Sequence, residues 1–166
     1  MLNLDTTAMK TAIHATAGSL ALATISTFWV STLISELFAS HAAIAAVKTA
    51  ILYGMALLIP AMATAGATGA SLGKGWKLPQ VAAKSCRMKI IATNGLLILL
   101  PSAVFLALRA QAGQFDTAFY AVQALELIAG AINITLLSLN LRDGLALGRR
   151  RKARAKASTQ TSTQAR

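Results

Sequence analysis

The sequence predicts an all-α, polytopic membrane protein: an antiparallel bundle of four transmembrane helices with both termini in the cytoplasm. Of its 166 residues, 55% are hydrophobic and only 13% are charged, whereas charged residues make up about a quarter of a typical soluble domain. The apolar residues form four blocks of roughly 20 residues or more, long enough to cross about 30 Å of hydrocarbon as helices. Three prolines and almost no hairpin signals argue against a β-barrel.

The apolar blocks define the predicted elements in order. We place the helices at about residues 12–38, 43–65, 90–108 and 118–141. They form a membrane domain over residues 12–148, after a cytoplasmic N-terminal segment, 1–11. The tail, 149–166, is basic and then rich in Ser, Thr and Gln, which predicts disorder. The turn at 39–42 is short, so the first two helices are expected to form an antiparallel hairpin.

The distribution of basic residues predicts the orientation. Residues 66–89 read as a flexible connection that contains five lysines and arginines and no acidic residue. This connection and the basic tail lie on the same side of a four-span chain, and the opposite connections carry no excess of basic residues. The positive-inside rule therefore places both termini and residues 66–89 in the cytoplasm. The net charge of +11 is explained in this way, and we expect no nucleic-acid partner.

The basic run after the fourth helix is a candidate site for lipid headgroups. It contains Arg149, Arg150, Arg151, Lys152 and Arg154. Basic residues at a membrane surface attract anionic headgroups by about 1 kcal/mol each. The expected partners of the chain are therefore the lipid bilayer and its anionic headgroups.

Three charged residues fall inside the predicted helices: Glu36, Lys48 and Glu126. Charges at such depth are costly and normally face protein or water. Lys48 lies about 8 Å inside the second helix at a rise of 1.5 Å per residue, which matches the depth of Glu36 and predicts an ion pair between them. Lys48 is also the predicted charged neighbour of Glu126. Two interpretations stay open: a network that fixes helix packing, and a proton or cation path.

Polar and small residues form one stripe along the fourth helix. Steps of three, four or seven residues from Glu126 reach Gln123, Gly130, Asn133, Leu137 and Asn140. Because lipid offers no hydrogen-bond partner, we expect this stripe to face the bundle interior or an interface between helices. Asn94 of the third helix is predicted to lie near Asn133, since both are about 6–12 Å from the cytoplasmic helix ends at 1.5 Å per residue.

One histidine is a candidate cofactor ligand. His14, near the cytoplasmic end of the first helix, has the same predicted depth as Met62 of the second. A His/Met pair is one of the ligand sets of haem iron, and Met88 is an alternative to Met62. The other interpretation is an interfacial histidine beside two core methionines. Cys86 is the only cysteine, so neither an internal disulfide nor a thiolate metal cluster is expected.

Five segments carry a resemblance to known proteins: 28–38, 45–51, 94–97, 122–127 and 139–144. Through them, residues 10–148 resemble a family of four-helix inner-membrane proteins of proteobacteria, a family that brings no known activity. His14, with Phe28 and Trp29 downstream, gives a more distant likeness to four-helix membrane haem proteins, such as the membrane protoporphyrinogen oxidases and the copper-resistance D type. That likeness implies a haem b held by His14.

The sequence leaves three functions open. The first is a structural or accessory inner-membrane protein whose buried polar groups define packing. The second is a b-type haem redox protein that uses His14. The third is a small proton- or cation-coupled transporter that uses Glu126. Four helices enclose little space, so the third function adds a homo-oligomer to the expected partners.

Overall fold

The computed structural model describes residues 2–73 and 79–164, with side chains for 6–73, 82–146 and 148–149. All regular structure in these residues is helical. The helices are α1 (Leu2–Phe38), α2 (His41–Gly73), α3 (Pro79–Asn94), α4 (Leu100–Gln111) and α5 (Thr117–Gln164). A π-helical turn, Gly95–Leu99, joins α3 to α4.

Four helical segments of the described chain are long and apolar enough to cross a membrane. They are Thr6–Phe38, His41–Gly73, Ala82–Gln111 and Thr117–Ala146. The third of these, here called the third span, combines most of α3 with the π turn and α4. The all-helical fold and the four candidate transmembrane helices predicted from the sequence are therefore confirmed.

The helices extend beyond their predicted ends. Residues 66–73 belong to α2 and residues 79–89 to α3, so most of the predicted flexible connection is helical; residues 74–78 lie outside the described part. Glycines in a helix cost about 1 kcal/mol each relative to alanine but do not end it. Helical backbone also continues over residues 149–164, and this range includes most of the Ser/Thr/Gln-rich segment, 157–166, for which the sequence predicts disorder. No proline interrupts that segment, and Ala, Arg, Lys and Gln favour helix.

The four spans surround a central space. α1 packs against α2 and α5, and the third span packs against α2 and α5 as well. Within the described residues, α2 and α5 make no close backbone contact, and neither do α1 and the third span. α2 and α5 are therefore diagonal to each other, so only long side chains can connect them.

The core lies in two clusters along this space. The larger contains Ala21, Ile25, Leu58, Ala61, Ile91, Leu99, Ala129 and Leu137. The smaller, near the α4–α5 connection, contains Ile44, Leu106, Ala110 and Phe119. The sequence suggests that Phe119 belongs to an aromatic belt at the membrane surface, but its side chain is fully buried and packs edge-on against Phe115 and Tyr120.

Pro101 explains the π-helical turn in the third span. Proline has no backbone N–H, so Pro101 cannot bond to the carbonyl of Leu97 in the usual helical pattern. The N–H of Leu100 bonds instead to the carbonyl of Gly95, five residues earlier. The resulting bulge follows Asn94 directly.

Asp116 fixes the connection between α4 and α5. Its Oδ1 accepts the N–H of Phe119 at 3.0 Å, which caps the start of α5. Its Oδ2 accepts a bond from Nη1 of Arg109 at 2.7 Å. The hydrogen bond from the Phe119 N–H is the main cause that holds the pKa of Asp116 below its usual range, and the Arg109 guanidinium also lowers this pKa. Gly113 adopts a φ of +67° in this turn, which glycine tolerates without a steric cost.

Candidate functional site: an interior cavity with two polar ends

An ion pair lies at one end of the central space. Lys48 Nζ donates to Glu126 Oε2 at 2.7 Å, and Gln123 Nε2 donates to the same oxygen at 3.2 Å. The lysine side chain is 1% exposed and the glutamate side chain 12%. Because α2 and α5 are diagonal, the apolar stem of Lys48 crosses the bundle to reach the carboxylate. The predicted proximity of Lys48 to Glu126 is confirmed.

The predicted ion pair between Glu36 and Lys48 is wrong. The Lys48 ammonium lies on Glu126, and Glu36 Oε1 is buried with no hydrogen-bond partner in the described structure. The depth estimate located both residues along their helix axes but gave no information on the direction of each side chain around the axis. Glu36 still interacts electrostatically with Lys48 and Glu126. The three residues form a cluster in which two are paired.

The polar stripe of α5 faces the bundle interior, as predicted. Gln123, Gly130, Asn133, Leu137 and Asn140 are all buried. Asn94 Nδ2 donates to Asn133 Oδ1 at 2.8 Å and to the carbonyl of Ala129 at 2.9 Å. Asn133 Nδ2 donates in turn to the carbonyl of Ile91 at 3.3 Å. The predicted proximity of Asn94 and Asn133 is confirmed, and these bonds tie the third span to α5.

A second polar group forms around His14 at the other end of the space. His14 Nδ1 lies 2.9 Å from the carbonyl oxygen of Ala65. A carbonyl only accepts, so Nδ1 carries the proton and Nε2 is left as an acceptor. Lys84 Nζ lies 3.2 Å from Nε2 and donates to it. A Cβ atom at Gly69 would lie 3.0 Å from His14 Cε1, so this glycine gives the imidazole its room on α2.

A further polar contact, near the end of the central space that contains His14, was not predicted from the sequence. Arg87 Nη1 donates to Asp143 Oδ2 at 2.6 Å and to Asn140 Oδ1 at 3.3 Å. Arg142 Nε lies 3.7 Å from the other oxygen of Asp143. The composition of residues 66–89, which include Lys84 and Arg87, predicts a flexible connection. Their helical spacing of three residues, which places both near one face of α3, is the signal that could have found them.

A cavity of about 1020 Å³ lies between the two polar groups. It follows α2 from Ile51 to Gly73, roughly 33 Å at 1.5 Å per residue. Its walls are mainly apolar and include Ile25, Phe28, Met55, Leu58, Met62, Met88, Ile91, Leu99 and Leu137. Glu126 and Thr32 lie at one end, and His14, Lys84, Ser85 and Lys89 lie at the other.

The cavity opens sideways between α2 and the third span. α2 contacts α3 and α4 but has no close backbone contact with the π turn between them. Ile59 and Leu96 flank this gap; both line the cavity, and they are 50% and 65% exposed. Both residues lie near the middle of their candidate spans. The opening is therefore at the depth where lipid chains would surround the protein.

The candidate haem ligands and the candidate headgroup residues are the remaining predicted sites. Met62 and Met88 line the same cavity as His14. No group of three or more His, Cys, Asp or Glu residues that could hold a metal occurs in the described part of the chain. Arg149 is exposed, and the side chains of Arg150, Arg151, Lys152 and Arg154 lie outside the described part.

A contact of Trp29 with α5 was not predicted from the sequence. The residue lies towards the far end of the first predicted helix, a position typical of an aromatic anchor at the membrane surface. Its Nε1 instead donates to the carbonyl of Leu127 on α5 at 2.9 Å, and its ring lines the cavity. A Cβ atom at Gly130 would lie 3.0 Å from Trp29 Cδ1, so the small residue in the α5 stripe makes space for the indole.

These features define a class: a multi-pass, four-helix membrane protein with an apolar interior cavity and charged groups at its ends. No protein-family model matches the chain, and no curated protein or solved structure is significantly similar to it.

Proposed function

We propose that this protein is an accessory protein of the bacterial inner membrane that binds a lipid-soluble ligand in its interior cavity. The observation that carries the proposal is the cavity, with its volume of about 1020 Å³, apolar walls and charged groups at the ends. Ligand pockets typically measure about 300–1,000 Å³ and combine apolar walls with a few polar groups. The lateral opening gives such a ligand a path from the bilayer.

The Lys48–Glu126 pair has a structural role in this proposal. It joins two helices, α2 and α5, that make no close backbone contact with each other in the described bundle. The carboxylate of Glu126 is compensated by an ammonium at 2.7 Å and by the amide of Gln123. A compensated carboxylate favours fixed packing over the alternative of a proton or cation path through Glu126. Glu126 lines this end of the cavity.

The proposed arrangement is antiparallel, with both termini in the cytoplasm. Contacts at the two ends of the bundle support it. His14, near the start of α1, meets Ala65 near the end of α2. His41, at the start of α2, stacks on Phe115 of the α4–α5 connection with ring centroids 4.0 Å apart. The basic residues near the His14 end then supply the cytoplasmic orientation.

Alkaline phosphatase fusions test this topology. A fusion after Gly113 is expected to be active, because that connection faces the periplasm in the proposed orientation. A fusion after Gly75 is expected to be inactive, because the enzyme folds only outside the cytoplasm. Immunoblots control for equal expression, and the reverse pattern of activities would contradict the orientation.

Filling the cavity tests the binding function. Gly66 lines the cavity, and a Cβ atom there would meet nothing within 4 Å. We expect Gly66→Phe to place its ring in the cavity and weaken ligand binding about tenfold, equivalent to about 1.4 kcal/mol. Gly18→Phe is the matched control, because a Cβ at Gly18 also meets nothing within 4 Å but Gly18 does not line the cavity.

The binding measurement uses the tryptophan in the cavity wall. In a Trp76→Phe background, Trp29 is the only tryptophan, and phospholipids with brominated acyl chains quench its fluorescence when a chain enters the cavity. Titration in detergent gives an apparent affinity for each variant. Equal quenching curves for Gly66→Phe and Gly18→Phe would contradict the proposal.

Haem b is the second candidate ligand. A histidine that ligates a metal usually donates its other N–H to a carbonyl or carboxylate, and His14 Nδ1 has this arrangement with Ala65. Met62 and Met88 line the same cavity. The residues fit haem only after Lys84 leaves Nε2, because its ammonium occupies that position. A Soret band that His14→Ala abolishes would establish this candidate, and a colourless protein from haem-supplemented cells excludes it.

A further inference from the structure

We propose that the Lys84 end of the cavity is a headgroup site for an anionic phospholipid, whose acyl chain occupies the apolar part. The inference rests on the proposed binding function and assigns its ligand class. It is carried by the position of Lys84, by the charge balance around it, and by the continuity of this site with the apolar cavity.

Lys84 is a half-buried lysine without a carboxylate partner in the described structure. Four ion pairs occur among the described side chains, and Lys84 takes part in none of them. Its hydrogen-bond partner is the neutral Nε2 of His14. An ammonium has three N–H donors, so this contact leaves donors available. Burying a charge is costly unless it is paired, and a bound anion would supply the missing charge.

The surrounding charges meet this need only in part, through the electrostatic attraction between Lys84 and Asp143. Asp143 is the nearby carboxylate, and its two oxygens already contact Arg87 at 2.6 Å and Arg142 at 3.7 Å. Lys89 lines the cavity beside Lys84 and has no ion pair among the described side chains either. This end of the cavity therefore carries two lysines without an ion pair in the described structure, the half-buried Lys84 and the exposed Lys89. A phosphate group, which lysine binds as a point charge, complements them.

The cavity continues from Lys84 as an apolar channel. Met88, one turn along α3 from Lys84, and Met62 of α2 line its next section. The lateral opening beside Ile59 and Leu96 connects this section with the lipid phase. A phospholipid can enter there with its chain in the cavity and its phosphate towards Lys84. At the opposite end, the ammonium of Lys48 is already paired with Glu126. Among the described residues, that end therefore offers no comparable cationic group to an anionic headgroup.

The test compares two phospholipids with identical brominated chains: anionic phosphatidylglycerol and zwitterionic phosphatidylcholine. Quenching of Trp29 is measured in the Trp76→Phe background. We expect phosphatidylglycerol to bind more tightly than phosphatidylcholine. Lys84→Met, which keeps the apolar stem, should weaken phosphatidylglycerol binding by about tenfold, because hydrogen bonds to charged groups contribute strongly. Lys84→Arg should retain the preference. Lys10→Met, which removes an exposed lysine outside the cavity, should leave both affinities unchanged.

The outcomes separate this inference from the proposed function. Equal affinities for the two lipids, still reduced by Gly66→Phe, would overturn the headgroup site and leave the cavity function standing. No quenching by either lipid would overturn both. Inorganic phosphate should not compete at concentrations comparable with the lipid, since it lacks the chain. Effective competition by phosphate would identify a free-anion site and overturn the lipid assignment.

Discussion

Replacing Lys48 by methionine is expected to destabilise the folded protein by about 3–5 kcal/mol, because removal of one partner leaves a buried charge uncompensated. Lys48 is almost completely buried and donates to Glu126 at 2.7 Å. Methionine preserves most of the apolar stem, so the change removes the charge with little loss of packing. Glu126 would keep only the amide of Gln123, while Glu36 adds a second acidic group nearby. Unfolding in mixed micelles with rising dodecyl sulfate, followed by circular dichroism, gives the free energy.

Three comparisons make this result specific. Lys10→Met removes an exposed lysine of α1 and is expected to change stability by less than about 0.5 kcal/mol. Lys48→Met combined with Glu126→Gln removes both charges and should recover part of the loss, since replacing a whole buried pair is often nearly neutral. Lys48→Met combined with Glu36→Gln should recover less of the lost stability, because Glu36 is not part of the ion pair. Strictly additive losses for Lys48 and Glu126 would show that the two side chains do not interact.

The sequence was sufficient to predict contacts that depend on helical periodicity. The α5 stripe follows from the spacing of Glu126, Asn133 and Asn140, because residues at three, four and seven positions share a helix face. The similar distances of Asn94 and Asn133 from the cytoplasmic ends of their helices then predicted that the two side chains are close together. The same estimate of depth failed for Glu36 and Lys48, since the direction of a side chain around its helix also depends on how the neighbouring helices are placed.

The contacts of Lys84 and Arg87 were missed for a different reason. Their surroundings are rich in glycine and basic residues, which is typical of a loop, and the helical face that contains them was not recognised. α2 and α3 nevertheless extend into this region, and these extensions bring Lys84 to His14 and Arg87 to Asp143. Packing between helices outweighed the weak local preference of the sequence.

The cavity itself could not be predicted from the sequence. It lies among four helices, and α2 has no close backbone contact with the π turn on one of its sides. The π turn follows from the missing N–H of Pro101. A proline inside a helix can produce a kink, a bulge or a helix end, so its position alone did not specify the outcome. The glycines around the cavity also have different roles: Gly69 and Gly130 make room for rings, whereas Gly66 faces open space.

Replacing Gly54 by valine is the second change for which we expect a large loss of stability, about 1–3 kcal/mol from overpacking. A Cβ atom at Gly54 would overlap the tip of the Phe28 ring on α1. Small residues at such positions allow helices in membranes to approach closely. Gly18→Val is the matched control, because a Cβ at Gly18 meets nothing within 4 Å. The same unfolding titration provides the measurement.

Substitution of Phe28, the residue that a side chain at Gly54 would overlap, identifies the cause of the expected loss of stability. Phe28→Ala should destabilise the protein by itself, because it leaves a space between α1 and α2, but it should rescue part of the stability of Gly54→Val by removing the clash. Phe28 also lines the cavity, so a displaced ring should change the quenching of Trp29 by brominated lipids in Gly54→Val and not in Gly18→Val. If Gly54→Val and Gly18→Val were equally stable, the Phe28 ring would move aside at little cost, and the expected overpacking between α1 and α2 would be contradicted.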